Sequence, residues 1–246
     1  MALTGTDVYR DLARRPATLK SLEAAAFIVA LQPLARNRLP RRLRSRVRTI
    51  LQSAEPTRNR PRSSTRYFDV SVAGHLRPVK DPFRAALAAR LLPATSRLRV
   101  LHAGRALSAA MARRARCEEA RNPRYRWLGE LSESRTRRLV ASTRLHALTS
   151  RMEGGANVVS EALADGVPIV SSRIDGSIGM LGRDYPGYFT PGSTRGLAAL
   201  LRQAERDPGF LAGLERWCAR LRPRCAPAAE LGAWRRLLAE AKKYVL

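Results

Sequence analysis

The sequence predicts an α/β fold in which one complete, doubly wound parallel sheet is preceded by part of a second sheet. From residue 67 onward, short apolar runs alternate with amphipathic stretches of helical period, and this alternation is typical of strand–helix–strand units. The apolar runs lack a polar face, as expected of strands covered on both sides. The first 66 residues contain only two comparable runs, fewer than a stable sheet needs.

The elements of the complete sheet follow one another at regular spacing. Gly166 stands where glycine commonly ends a helix, just after a predicted helix at 157–165. The two earlier strands are expected at 26–31 and 47–51, and the proline- and serine-containing stretch 55–66 reads as a linker. Strands are predicted at 68–73, 98–103, 125–128, 145–149, 168–172 and 188–189, and helices at 82–92, 107–120, 133–141, 157–165, 194–206, 209–221 and 228–244.

The formal charge of +26 raises the question of a nucleic-acid partner. Only four of the 46 basic residues are lysines, and the arginines are spread along the whole chain. The densest run, 36–48, has no interleaved aromatic residues on which bases could stack. These features favour a solvated basic surface, and we expect no specific nucleic-acid partner.

Three further observations concern the compartment. No run of 18 apolar residues occurs, so no membrane span is expected. The first residues lack the pattern of a signal peptide. The three cysteines show neither metal-ligand spacing nor an even framework. We therefore expect a reduced, cytoplasmic protein, in which His102 and His146 are core residues of predicted strands.

The segment 152–168, MEGGANVVSEALADGVP, carries the clearest chemical signal. Gly154 and Gly155 permit a tight turn and a close approach of the backbone to a ligand, and Asn157 is a suitable N-cap for the helix that follows. The amides at a helix start form an anion site, and Glu153 and Glu161 add a carboxylate at each end. The pattern predicts a cradle for a diphosphate, and the alternative is an ordinary strand–loop–helix turn with two incidental glutamates.

At these residues the sequence resembles the retaining glycosyltransferases of GT-B fold and family 4 type. In that family the glutamate matched by Glu153 contacts the hydroxyls of the donor sugar, and the one matched by Glu161 holds the ribose. A family lysine that contacts the diphosphate is matched by Lys80. The family arginine falls at His75, so Arg77 would supply the second cation from a shifted position, or is only surface charge.

This resemblance implies a catalytic set and a donor site without a metal or a cofactor. Arg77, Lys80 and Glu153 would be catalytic, since a cationic pair stabilises the charge that develops on a leaving diphosphate. Thr4, Gly5, Thr6 and Asp7 form a polar loop that would either hold the acceptor or cap the next helix. The donor-binding residues would be Gly154, Gly155, Ala156, Asn157, Glu161, Gly176 and Leu131.

Longer stretches resemble one branch of these enzymes, the selenosugar synthases of selenoneine biosynthesis. They are residues 3–11, 75–86, 122–131 and, above all, 152–189. The resemblance implies transfer of N-acetylglucosamine or glucose from a UDP-sugar to selenophosphate. The branch has roughly 80 further residues, about half a domain, before residue 3, so we expect this chain alone to turn over poorly.

The same resemblance suggests a division of the chain. Residues 1–66 would be the remnant of a Rossmann-like, acceptor-side domain with its linker, and 67–230 a complete Rossmann-like domain that binds the nucleotide sugar. Residues 231–246 would form a helix that packs back on the first part. Two other functions stay open: a family 4-like transferase with a hydroxyl acceptor, and an inactive truncated form or basic binding protein.

Overall fold

The structure, a computed structural model, describes residues 1–12 and 14–243. Its first sheet is parallel, with strand order β1-β2-β3. The strands are β1 (Ala2–Leu3), β2 (Ile28–Ala30) and β3 (Val47–Thr49), and the helices between them are α1 (Pro16–Ala24) and α2 (Ala35–Arg38). Two strands were predicted here. The structure adds β1, which at two residues is too short to show a period of its own.

The second sheet has six parallel strands in the order β6-β5-β4-β7-β8-β9. The strand order reverses between β4 and β7, and ligands of doubly wound sheets bind beyond the strand ends at such a point. The prediction of six strands is confirmed. They are β4 (Phe68–Ala73), β5 (Leu98–Ala103), β6 (Tyr125–Trp127), β7 (Leu145–Leu148), β8 (Ile169–Ser172) and β9 (Tyr188–Phe189).

The helices of this part are α3 (Arg84–Ala89), α4 (Ala109–Arg121), α5 (Glu133–Ser142), α6 (Asn157–Ala164), α7 (Asp175–Leu181), α8 (Thr194–Arg206), α9 (Pro208–Leu221) and α10 (Pro227–Lys242). The helix predicted at 82–92 is shorter, and α7 was not predicted. Its sequence, DGSIGML, contains two glycines, which are poor helix formers. The end of the helix predicted at 228–244 lies outside the described residues.

The two strand histidines belong to the core, as predicted. His102 and His146 are fully buried, and burial lowers the pKa of each imidazole to about 4. The His102 ring lies 3.1 Å from the Tyr125 hydroxyl and 3.1 Å from the Gly74 carbonyl oxygen. Both histidines are therefore neutral structural groups at physiological pH.

Residues between the two sheets are fastened to the second one. The backbone N–H and the hydroxyl of Thr57 donate to the Asp165 carboxylate at 2.6 and 2.7 Å. Leu237 of α10 packs with Val29 of β2 and with Ile50, which follows β3. Within the described residues, no helix combines the length and apolarity that a membrane crossing needs.

Candidate active site

The basic loop after β4 is fastened to the loop after β7, at the point where the strand order reverses. The Thr149 hydroxyl donates to the carbonyl oxygens of Lys80 and Asp81 at 3.0 and 3.1 Å. The backbone N–H of Arg151 donates to the Val79 carbonyl oxygen at 2.8 Å. Lys80 is the last residue of a short helical turn, Pro78–Lys80. These backbone contacts thereby fix the position of the main chain of Lys80.

Lys80 and Glu153 form an ion pair, although the sequence analysis selected them from separate segments. The Ser150 hydroxyl donates to the same carboxylate oxygen of Glu153 at 2.5 Å. The side chains of Lys80 and Glu153 are only 22% and 11% exposed. The structure thus holds a cation and a carboxylate side by side beyond the ends of β4 and β7. Ser150, which the sequence did not predict, holds the carboxylate by a hydrogen bond.

Arg77 lies on the rim of a cleft of about 350 Å³, here called the donor cleft. The cleft is lined by Thr4, Gly5, Thr6, Arg10, Leu31, Arg77, Val79, Met152, Glu153, Gly154 and Gly155. Arg77 is exposed and forms no ion pair within the described part of the chain. Three of the four predicted acceptor residues therefore meet two of the three predicted donor-binding glycines, Gly154 and Gly155, in one place. Arg10 and Leu31 join them without having been predicted.

The fourth predicted acceptor residue, Asp7, shapes the loop instead of lining the cleft. Its carboxylate accepts from the backbone N–H and the hydroxyl of Thr4 at 2.7 and 2.8 Å. His75, which stands at the position of the family arginine, accepts from the backbone N–H of Arg105 at 3.1 Å through Nδ1. Of the charged side chains of this loop, Arg77 therefore lines the cleft, whereas Lys80 is held by Glu153.

The glycines of the 153–156 turn allow contact between two parts of the chain. A Cβ atom on Gly5 would lie 2.5 Å from the Gly154 nitrogen, and one on Gly155 would lie 2.7 Å from Leu31 Cβ. Such distances are shorter than packed atoms tolerate. The turn after β7 therefore packs directly, backbone on backbone, against the loops that follow β1 and β2.

The start of α6 differs from the prediction by one residue. Ala156 is the N-cap, in extended conformation, and Asn157 is the first helical residue. The Asn157 side chain does not cap the helix, so the N-cap prediction is wrong. Its amide instead donates to Glu161 Oε1 at 3.0 Å. Asn157 therefore orients the second glutamate of the predicted pair.

Glu161 is buried, with 8% exposure. Burial raises the pKa of its carboxyl; nearby Arg137 opposes this, and Glu133 adds to it. Arg137 and Glu133 belong to α5, so the Glu161 carboxylate lies near charges of that helix as well as near Asp165. Leu131, half-buried, lies two residues before the start of α5, and the described cavities do not include it.

Gly176, at the start of α7, is buried against the main chain of Glu153. A Cβ atom on Gly176 would collide with the Glu153 carbonyl oxygen and lie 2.9 Å from Glu153 Cβ. The structure thus places Gly176 as a support behind Glu153. Among the described residues, no three His, Cys, Asp or Glu side chains are grouped as ligands of a metal ion would be.

Residues 53–221 match the profile of the family described as glycosyl transferases group 1, which covers more than half of the 246 residues. The chain belongs to the group 1 glycosyltransferases. The matched region contains the loop with Arg77 and Lys80 and the turn with Glu153. A search of curated protein sequences finds no significant match to this glycosyltransferase.

Solved structures similar to this glycosyltransferase have the GT-B fold, and so does this chain. Anabaena HepE has a TM-score of 0.79 at 18% identity, over 97% of this chain and 71% of that chain. The pneumococcal O-GlcNAc transferase GtfA has a TM-score of 0.74 at 15% identity, over 97% of this chain and 51% of that chain. Sucrose-phosphate synthase from Thermosynechococcus elongatus has a TM-score of 0.74 at 17% identity, over 96% of this chain and 65% of that chain. The glycosyltransferase therefore spans between 51% and 71% of the length of these three neighbours.

Proposed function

We propose that this glycosyltransferase moves N-acetylglucosamine or glucose from a UDP-sugar to selenophosphate. The observation that carries the donor half is the Lys80–Glu153 ion pair, beside Arg77 and at the point where the strand order reverses. Lys80 and Glu153 satisfy one another in this structure. A bound donor would offer each a better partner, because the diphosphate attracts the ammonium group and the sugar hydroxyls donate to the carboxylate.

UDP would leave when the bond between C1 of the sugar and the diphosphate oxygen breaks. Lys80 and Arg77 would then meet the charge that builds on the diphosphate, and fixed charges in a partly dry site act without reorganisation. Glu161, held by Asn157 at 3.0 Å, would accept from the ribose hydroxyls. The crystal structures of HepE in complex with UDP and with UDP-glucose support a UDP-sugar as donor.

The acceptor half rests on the small size and the charge of the donor cleft. A cavity of about 350 Å³ with Arg10, Arg77 and the hydroxyls of Thr4 and Thr6 suits a small oxyanion. The selenium lone pair would attack C1 as the C1–O bond breaks, and water would later cleave the P–Se bond to release phosphate. The resemblance over 152–189 supports selenophosphate as this oxyanion.

A hydroxyl acceptor is the alternative, and the names of two structural neighbours favour it. GtfA is an O-GlcNAc transferase, and the third neighbour is a sucrose-phosphate synthase. Both candidates share the donor site and differ in the atom that attacks C1. The acceptor therefore has to be tested separately from the donor.

The donor is tested by thermal unfolding with UDP, UDP-N-acetylglucosamine or UDP-glucose, because a ligand of the native state raises the unfolding temperature. This readout does not require turnover. Stabilisation by none of the three would contradict a UDP-sugar donor. The acceptor is tested by incubation with the stabilising donor and selenophosphate, followed by mass detection of the selenosugar. UDP release with glycerol or a sugar alcohol, but not with selenophosphate, would favour the hydroxyl acceptor.

A further inference from the structure

A second cavity shares Met152 and Glu153 with the lining of the donor cleft. It has a volume of about 360 Å³. Its polar lining comes from four separate parts of the chain: the helical turn after β1, α2, the turn after β7 and the start of α7. The residues that matter are Tyr9, Arg38, Arg151, Arg173, Asp175 and Glu153. We call this space the arginine cavity.

Positive charge exceeds negative charge on the wall of the arginine cavity. Arg38 pairs with Asp175 at 2.7 Å, and Glu153 is already paired with Lys80. Both carboxylates of the lining therefore have a cation of their own. Two guanidinium groups, those of Arg151 and Arg173, remain.

Among the described residues, Arg173 forms no ion pair with a carboxylate, and Arg151 forms only a long one. Arg151 lies 3.6 Å from Asp81, but Asp81 accepts a shorter bond from Arg84 at 2.9 Å. Arg173 lies over the Tyr188 ring, with its guanidinium carbon 5.7 Å from the centroid. The guanidinium group of Arg173 is therefore available to a ligand, and so is that of Arg151 if the ligand competes with its long contact to Asp81.

Tyr9 adds a neutral donor to the same cavity. Its oxygen accepts from Gln32 Nε2 at 2.8 Å, which leaves the hydroxyl hydrogen without an acceptor among the described residues. Burial raises the pKa of the Tyr9 hydroxyl to about 12, and the negative charge of Asp175 is the second cause. Tyr9 keeps its proton at neutral pH and can donate it to an anion.

We propose that the arginine cavity binds an oxyanion of the phosphate class, at a site separate from the donor diphosphate. Planar guanidinium groups offer paired donors that match phosphate oxygens, and Arg151, Arg173 and Tyr9 supply donors from three directions. Because Glu153 lines both spaces, an anion bound there would lie close to the residue that pairs with Lys80.

The test is a calorimetric titration of the chain with inorganic phosphate. The double variant Arg151→Ala/Arg173→Ala is compared with Arg202→Ala/Arg216→Ala, which removes the same charge from exposed positions on α8 and α9. We expect the first variant to bind phosphate about tenfold more weakly or worse, which is the loss of one good interaction, and the second to bind as the wild type does.

Three outcomes would overturn the proposal. The first is no phosphate binding by the wild type. The second is an equal loss in both double variants, because net charge alone would then explain the binding. The third is a loss in Arg77→Ala as large as in Arg151→Ala/Arg173→Ala, because phosphate would then occupy the donor cleft. Retention of binding in Arg77→Ala, with loss in the first double variant, supports a separate site.

Discussion

Lys80 is one of only four lysines in the chain, and its ammonium group is held against Glu153. In the proposed reaction Lys80 stabilises the leaving diphosphate, so Lys80→Ala should lower kcat/KM by about 100-fold or more. Lys80→Arg should recover part of this loss because it keeps the charge. Steady-state kinetics with the donor identified by thermal unfolding would measure both.

The matched control for this prediction is Lys20→Ala, which removes an exposed lysine of α1. It should leave the kinetics unchanged. Equal kinetics for Lys80→Ala and the wild type would remove Lys80 from the proposed site. A Lys80→Ala protein that no longer folds would be recognised by circular dichroism before any rate is compared.

The buried carboxylate of Glu161 lowers the stability of the fold at neutral pH but serves the proposed binding of the ribose. Burial raises the pKa of its carboxyl in the folded state, so ionisation costs folding free energy. Stability therefore falls as pH rises from the ordinary carboxyl pKa through the raised one. Glu161→Gln removes this cost, so the variant should unfold at a higher temperature than the wild type at neutral pH, yet bind UDP more weakly.

Thermal unfolding across the acidic to neutral range, with and without UDP, tests the Glu161 prediction. The contrast is Glu118→Gln, because the Glu118 carboxylate accepts from Arg90 at 2.9 and 2.7 Å and its loss should lower stability. A Glu161→Gln variant that is less stable than the wild type at neutral pH would show that burial is not the dominant effect on this carboxyl.

At the scale of elements, the turn between β7 and α6 rests on the loop after β1. A methyl group on Gly154 would meet the backbone of Thr4 and Gly5, and overpacking of this kind costs about 1–3 kcal/mol. Gly154→Ala should therefore lower the free energy of unfolding in urea and raise the KM for the donor.

Gly213→Ala is the control for Gly154→Ala. Gly213 lies within α9, and its nearest neighbour to an added Cβ atom is 4.0 Å away. This variant should be neutral or gain up to about 1 kcal/mol, because alanine is the better helix former. If both alanine variants unfold at the same urea concentration as the wild type, the two loops have room to separate.

The sequence predicts elements where a single local signal is strong. All six strands of the second sheet follow from apolar runs, and Gly166 ends α6 with φ +65° as its position suggested. The signal fails where tertiary contacts decide. The strand β1 exists because Ala2 and Leu3 pair with Val29 and Ala30, and no local pattern reveals that pairing.

The candidate site divides in the same way. Glu153 and Glu161 follow from their spacing around the predicted turn, and Lys80 follows from the resemblance to the family. Ser150 and Arg10 carry no pattern of their own and become visible only when the loops are brought together. The sequence also points to Asn157, but not to its role. Because the chain stays extended through Ala156, Asn157 lies inside the helix and donates to Glu161 instead of capping the helix.

At the scale of the whole molecule, the charge of +26 works against compactness because like charges repel when the chain folds. Salt screens this repulsion and also weakens the surface ion pairs, but such pairs contribute only about 0–1 kcal/mol each. We therefore expect the unfolding temperature to rise with sodium chloride from low to physiological ionic strength. A steady fall would mean that the ion pairs dominate.

The contact between Gly5 and Gly154 has a consequence for changing this enzyme by design. No side chain stands between the two backbones, so substitution at either glycine alters the width of the cleft. Thr4, Thr6 and Leu31 line the same space with side chains, so substitution there alters its chemistry while the width is kept. The acceptor preference can therefore be changed through the three side chains, and the width of the cleft can be changed separately through the two glycines.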